Sequence, residues 1–212
     1  VKKLLLALFL AALALPISAS ADVILTFGQA INGDTITATD DGTTTDIEGL
    51  NIPVTVTQIL GPVVTPFLAL LNLSAVSTGP AQVGPLGVIE PFDGDFTITS
   101  PLCGVGFNCL SGVFTGATFG FLNGASLTMA SAQPPGSLIF TSDVITELNL
   151  PRGMAFSFAN VNPPVSVDGT TIGAFTSSVS GTFSAAVVPE PASVLLFGIA
   201  LLGLAFVRRR KA

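Results

Sequence analysis

Phe96-Thr97-Ile98-Thr99, with Val113-Phe114-Thr115-Gly116-Ala117-Thr118-Phe119 shortly after it, decides how the middle of this chain folds. In both stretches apolar side chains take turns with small or polar ones. Successive side chains of an extended strand point to opposite faces, so this pattern makes one buried and one wetted face. The same chemistry continues on either side. Short segments rich in Val, Ile, Thr, Phe and Ser are separated by clusters of Gly, Pro, Asn and Asp. Strands are expected at residues 23–27, 35–39, 54–59, 68–77, 95–99, 111–118, 126–131, 137–142, 154–158, 171–176 and 178–185. Turns are expected at Asn32-Gly33-Asp34, Asp41-Gly42, Asp93-Gly94, Asn123-Gly124, Pro134-Pro135-Gly136 and Asp168-Gly169. Phe67, Leu70 and Leu71 also fit helical spacing, but the β signals around them favour a strand. Many short strands with turns every ~8–12 residues predict an all-β domain, β-sandwich-like and antiparallel. A β-solenoid would need a fixed repeat, and no such period is visible. The sixteen Phe residues sit in strand-like runs and read as core.

The two ends carry other signals. Lys2 and Lys3 precede a continuous apolar run, Leu4 to Leu15, which Pro16 breaks; Ala19-Ser20-Ala21 then supplies an A-x-A exit before Asp22. Residues 1–21 read as a secretory signal peptide cut by signal peptidase after Ala21. At the other end, Ala192 to Val207 is an uncharged run in which ten residues are Leu, Ile, Val or Phe. As a helix it would span about 24 Å at ~1.5 Å per residue, slightly less than a ~30 Å hydrocarbon core. The long side chains of Arg208, Arg209, Arg210 and Lys211 can extend to the interface and make up the difference. Those four cations remain cytoplasmic by the positive-inside rule, which leaves the bulk of the chain facing outward. Pro189 and Pro191 keep the chain extended before the run, and Glu190 places a charge at the water edge. The expected division is a signal peptide at 1–21, an all-β ectodomain at 22–187, and a sorting and anchor segment with one transmembrane helix at 188–212.

Val188-Pro189-Glu190-Pro191, Ser193, Gly198, Gly203 and Arg208 to Arg210 together resemble the PEP-CTERM sorting signal of exported Gram-negative proteins. A similar tail is also named after the C-termini of some ice-binding proteins. The resemblance covers about 25 residues. It implies recognition by an exosortase, a polytopic membrane cysteine protease or transpeptidase. The chain would be held transiently in the inner membrane, cleaved at or near Pro189-Glu190-Pro191, and passed to the cell surface or extracellular matrix.

Charge narrows the function classes. Of thirteen acids, twelve lie between Asp22 and Pro189, and the one base between Asp22 and Val207 is Arg152. So acidic a surface repels nucleic acid, which is not an expected partner. The sequence has no histidine, which removes Ser-His-Asp and Cys-His catalysis and the usual zinc sites. No P-loop, no GxGxxG after a strand and no HExxH appears.

Cys103 and Cys109 are the only cysteines, and in an exported chain a disulfide is the default. A redox pair or metal site would call for Cys-x-x-Cys or further ligands. Asp34, Asp40, Asp41, Asp46 and Glu48 lie in a Gly/Thr-rich region where calcium binding is conceivable, but their spacing fits no EF-hand and a solvated acidic loop is the simpler reading. Glu90 with Asp93 or Asp95, and Asp143 with Glu147, are the carboxylate pairs available for glycoside hydrolysis. The chain offers no Trp or Tyr as a sugar-stacking platform. Asp93-Gly94-Asp95 reads most simply as a hairpin turn, and Arg152 as one half of a surface ion pair.

The leading expectation is a non-enzymatic surface or matrix protein, associated with exopolysaccharide or biofilm, with no cofactor and no metal. The alternatives are an uncleaved single-pass anchored protein that binds a ligand such as calcium or ice, and a carboxylate hydrolase. Against ice, Thr35, Thr37 and Thr39 alternate only briefly.

Overall fold

The alternation at residues 96–99 and 113–119 is also the pattern of burial. In a computed structural model, Phe92, Phe96, Ile98, Phe114 and Phe119 are buried, while Asp95, Val113, Thr115 and Thr118 are exposed. The structure describes residues 21–186 apart from 32, 34, 85–86, 122–126 and 134–135. Residues 1–20 of the expected signal peptide, the apolar run and the sorting segment therefore lie outside the described residues, as do most of the expected turns at 123–124 and 134–135. No helix occurs among the described residues, so the helical option for Phe67 to Leu73 gives way to strand.

The strands occupy eight antiparallel lanes among the described residues, taken in chain order. β1 (Ala21–Gln29) and β2 (Ile36–Asp40) share the first lane, and β3 (Thr45–Ile59) forms the second. β4 (Phe67–Ser77) is continued by β5 (Gln82–Gly84) beside β6 (Gly87–Thr99), which pairs in turn with β7 (Asn108–Phe121). β8 (Leu127–Gln133) and β9 (Ser137–Thr141) follow each other along β7, and β10 (Asn149–Asn162) pairs with β8. A small hairpin of β11 (Val167–Asp168) and β12 (Thr171–Ile172) precedes β13 (Phe175–Ala186). β13 pairs with β10 on one side and with β1 and β2 on the other, so the meander closes on itself. The expected sandwich-like antiparallel stack is therefore a closed one. Closure leaves the main lanes without a free edge on which another chain could add a strand.

Eight lanes give an interior just wide enough for side chains, and here aromatic rings fill it. Phe96 stacks on Phe183 with centroids 4.6 Å apart and meets Phe156 edge-on at 5.4 Å. Phe119 stacks on Phe175 at 5.9 Å and meets Phe92 and Phe158 edge-on. Two strand glycines make room for this packing: a Cβ on Gly112 would meet the Phe96 ring, and one on Gly181 the Phe27 ring.

Two sequence expectations are corrected. Asp93-Gly94-Asp95 is no hairpin turn but lies inside β6, where a Cβ on Gly94 would collide with the β4 backbone. Opposite it β7 carries one extra residue, with Gly116 at φ 65° and its N–H bonded to Asp93 Oδ1 at 2.7 Å. The Asp-Gly signal marks one side of a bulge. The strand expected at 171–176 is divided, because the Gly173 N–H turns back to Ser166 O at 2.9 Å and closes the β11–β12 hairpin before β13 begins.

Single side chains mend the lanes where they break. Between β1 and β2, Gln29 Oε1 accepts the Val179 N–H and the Thr35 hydroxyl, while its amide donates to Ile31 O and Gly33 O. Beside β9, Arg152 Nε donates to Leu148 O at 2.7 Å and Nη1 to Leu138 O at 3.0 Å. The one base of the domain thus closes backbone gaps, and among the described residues it does not form the expected ion pair.

Candidate functional site

Ala21 faces Ala186, and Asp22 faces Ala185, in the β1–β13 ladder. The chain therefore enters and leaves the barrel at one end, and removal of Ala21 would leave the pairing from Asp22 onward. This near end also carries the loops at 60–66, 100–107 and 142–148, which follow from the strand directions. Of the residues expected at the signal cleavage, Ala21 is the first residue of β1 and Ala19 lies outside the described residues, as do Pro189, Glu190, Pro191 and Arg208 to Lys211.

The disulfide expected between Cys103 and Cys109 is present, with both residues fully buried and their Cα atoms 4.9 Å apart. It closes the near end. A Cβ on Gly104 would touch Asp143, and one on Gly61 would touch Val144, so the three loops pack on one another. The bridge holds Phe107 at φ 62°, half exposed. Between this loop and the wall, Pro53, Leu68, Leu70, Pro101 and Phe107 line a mostly apolar hollow of about 490 Å³.

The expected acidic cluster is spread out. Asp34 lies outside the described residues. Asp41 Oδ1 accepts the Thr43 and Thr44 N–H groups and the Thr43 hydroxyl, which hold its carboxyl down at about 2. Asp40 Oδ1 takes the Gly42 N–H and the Thr171 hydroxyl. Both acids serve as turn acceptors at the far end. Among the described residues no group of three or more acidic, Cys or His side chains gathers around a common point.

One of the expected carboxylate pairs is split by the fold. Glu90 points into the barrel and Asp95 out of it, so the wall separates them. Asp143 Oδ2 accepts the Asn108 N–H at 3.1 Å, and Glu147 Oε2 is buried without a hydrogen-bond partner among the described residues. The fold assembles a different pair. Glu48 and Asp95 flank Ser74 in register and line a shallow hollow of about 260 Å³ with Leu50 and Asn72. Only the pairing register brings these residues together, and no local sequence signal marks them.

Glu90 itself escaped a structural reading from sequence. It is fully buried, and Ile172 donates its N–H to Glu90 Oε2 at 3.0 Å. Thr45 Oγ1 donates to Ile172 O at 2.8 Å and lies 3.4 Å from both carboxylate oxygens. Burial raises the Glu90 pKa above its usual value, and the nearby Asp40 charge adds to this; hydrogen bonds from Ile172, Ser77 and Thr45 oppose it. The arrangement ties the β11–β12 hairpin across the far end like a plug. The one available signal was a Glu in phase with Val88 and Phe92 on the inward face of its strand.

Residues 187–211 match the PEP-CTERM protein-sorting motif, which marks an exported protein handled by exosortase. The match begins at the residue after β13, so the sorting signal leaves directly from the near end. Neither curated proteins nor solved structures yielded a match to this chain.

Proposed function

We propose that this chain is a non-enzymatic structural protein of the cell surface or extracellular matrix, associated with exopolysaccharide or biofilm, and delivered there by exosortase. The observation that carries the reading is the sorting motif at 187–211, joined without a linker to a closed β-barrel. The domain supports it by what its polar groups do: Asp40, Asp41, Glu90 and Arg152 are all engaged in holding turns, the plug or the lane breaks. Export would proceed by removal of residues 1–21, arrest at Ala192 to Val207, and cleavage at Pro189-Glu190-Pro191.

The intact mass of the protein isolated from its own host tests this route. A species running from Asp22 to about Pro189 is expected. A species that retains residues to Ala212 would mean a permanent anchor, and the delivery step would be withdrawn.

A further inference from the structure

We infer that the near end of the barrel is a lipid-contacting face, which sits on the bilayer while the acidic far end points away. This rests on the reading of residues 192–207 as a membrane span. Leu60, Val64, Leu102, Val105, Phe107 and Leu150 are exposed around that end, from separate loops and strand starts, with Val105 at 99% and Val64 at 84%. Exposed apolar groups collected at one place on a domain mark an interaction surface. The disulfide fixes the base of the loop that carries Val105 and Phe107. Phe107 is held outward in a left-handed conformation that a bulky residue rarely adopts.

Chain length picks lipid as the occupant. From Ala186 to Ala192 the chain can reach roughly 20 Å at ~3.3–3.6 Å per residue. The 13 residues of β6 rise ~3.3 Å each along a strand tilted by ~40°, which makes the wall roughly 30 Å tall. A barrel on so short a tether presents its near end to the membrane that holds the run. Charge is weighted away from the bilayer: Asp40, Asp41, Asp46, Glu48 and Asp168 lie toward the far end, against Asp22, Asp143 and Glu147 at the near end. The far end exposes Val83 and Ile89 as well, in a rim that also carries Asp40, Asp41 and Asp168.

The sequence has no Trp or Tyr, so one introduced Trp reports its surroundings without background. Full-length chain would be produced without exosortase and reconstituted in vesicles of brominated phosphatidylcholine and phosphatidylglycerol. Three single variants are compared: Val105→Trp at the near end, Val83→Trp at the far end and Leu201→Trp in the apolar run. Emission of Val105→Trp and Leu201→Trp should shift to shorter wavelength and be quenched by bromine, with Val83→Trp unaffected. Quenching of Leu201→Trp without Val105→Trp would overturn the lipid face and leave the span intact. Quenching of Val105→Trp alone would keep the lipid face and remove the span; quenching of neither would remove both. A blue-shifted but unquenched Val105→Trp would mean that a second copy or another protein covers this end, and would also overturn the proposal.

Discussion

Glu90 accepts the backbone N–H of Ile172 at 3.0 Å, which joins a wall carboxylate to the hairpin that plugs the far end of the barrel. A buried acid with a raised pKa weakens the fold as it ionises. Below the ordinary carboxylate value both folded and unfolded chains hold the proton, and Glu90 is neutral at no cost. As pH rises past that value the unfolded chain releases its proton first, so stability falls until the folded pKa is passed.

Glu90→Gln should therefore remove a loss of stability that the native chain suffers on going from about pH 4 to about pH 7. The amide oxygen can still accept from Ile172. Glu90→Leu leaves that buried N–H unpaired and should cost about 1–3 kcal/mol. Urea midpoints at both pH values for the three proteins check this. A native chain whose stability relative to Glu90→Gln does not change with pH would refute the assignment.

Gln29 spans the break between β1 and β2, and Val179 depends on it for a hydrogen-bond partner. Gln29→Ala should destabilise by about 1–3 kcal/mol, since it strands backbone groups of the ladder. Gln29→Glu keeps the acceptor for Val179 and Thr35 but loses both donations to the loop carbonyls, so a smaller loss is expected. Hydrogen exchange at the Val179 amide should quicken in the Ala variant and stay slow in the Glu variant.

The strands were legible because alternation is a local property. Phe96, Phe114 and Phe119 fell inward as their spacing implied. What the chain does not spell out is register. The Asp93-Gly94 signal is the same in a turn and in a strand facing a bulge, and only the extra residue at Gly116 in the partner strand distinguishes them. Glu48 and Asp95 stand far apart in sequence and share a hollow only because Ser74 lies between them. Arg152 reads as a charge in sequence, yet the fold uses its fork to hold Leu138 O and Leu148 O. The sorting signal was legible in full because its recognition depends on contiguous residues.

The Cys103–Cys109 bridge closes a short loop, so on loop entropy it should contribute about 2 kcal/mol. Replacement of both residues by Ala should lower the melting temperature without changing the β-sheet signal in circular dichroism. The loss should be local first. Amides at 100–109 are expected to exchange faster than those of β13, and equal acceleration throughout would show that the bridge acts on the whole barrel.

Gly112 lies under the Phe96 ring, and the Phe140 ring closes over it from another side, with its Cδ1 3.1 Å from where a Cβ would stand. Phe96 cannot retreat, because it is stacked on Phe183 at 4.6 Å and against Phe156 at 5.4 Å. Gly112→Ala should therefore overpack the core and cost about 1–3 kcal/mol. Gly28 is the control: an added Cβ there meets nothing within 4 Å and needs no unusual backbone angle, so Gly28→Ala should be neutral or stabilise by up to about 1 kcal/mol. Phe96→Leu in the Gly112→Ala background separates sterics from strand propensity. If the ring is the obstacle, the pair should be less damaging than the sum of the single changes in a double-mutant cycle. Strict additivity would mean that Gly112 matters for its backbone and not for the ring above it.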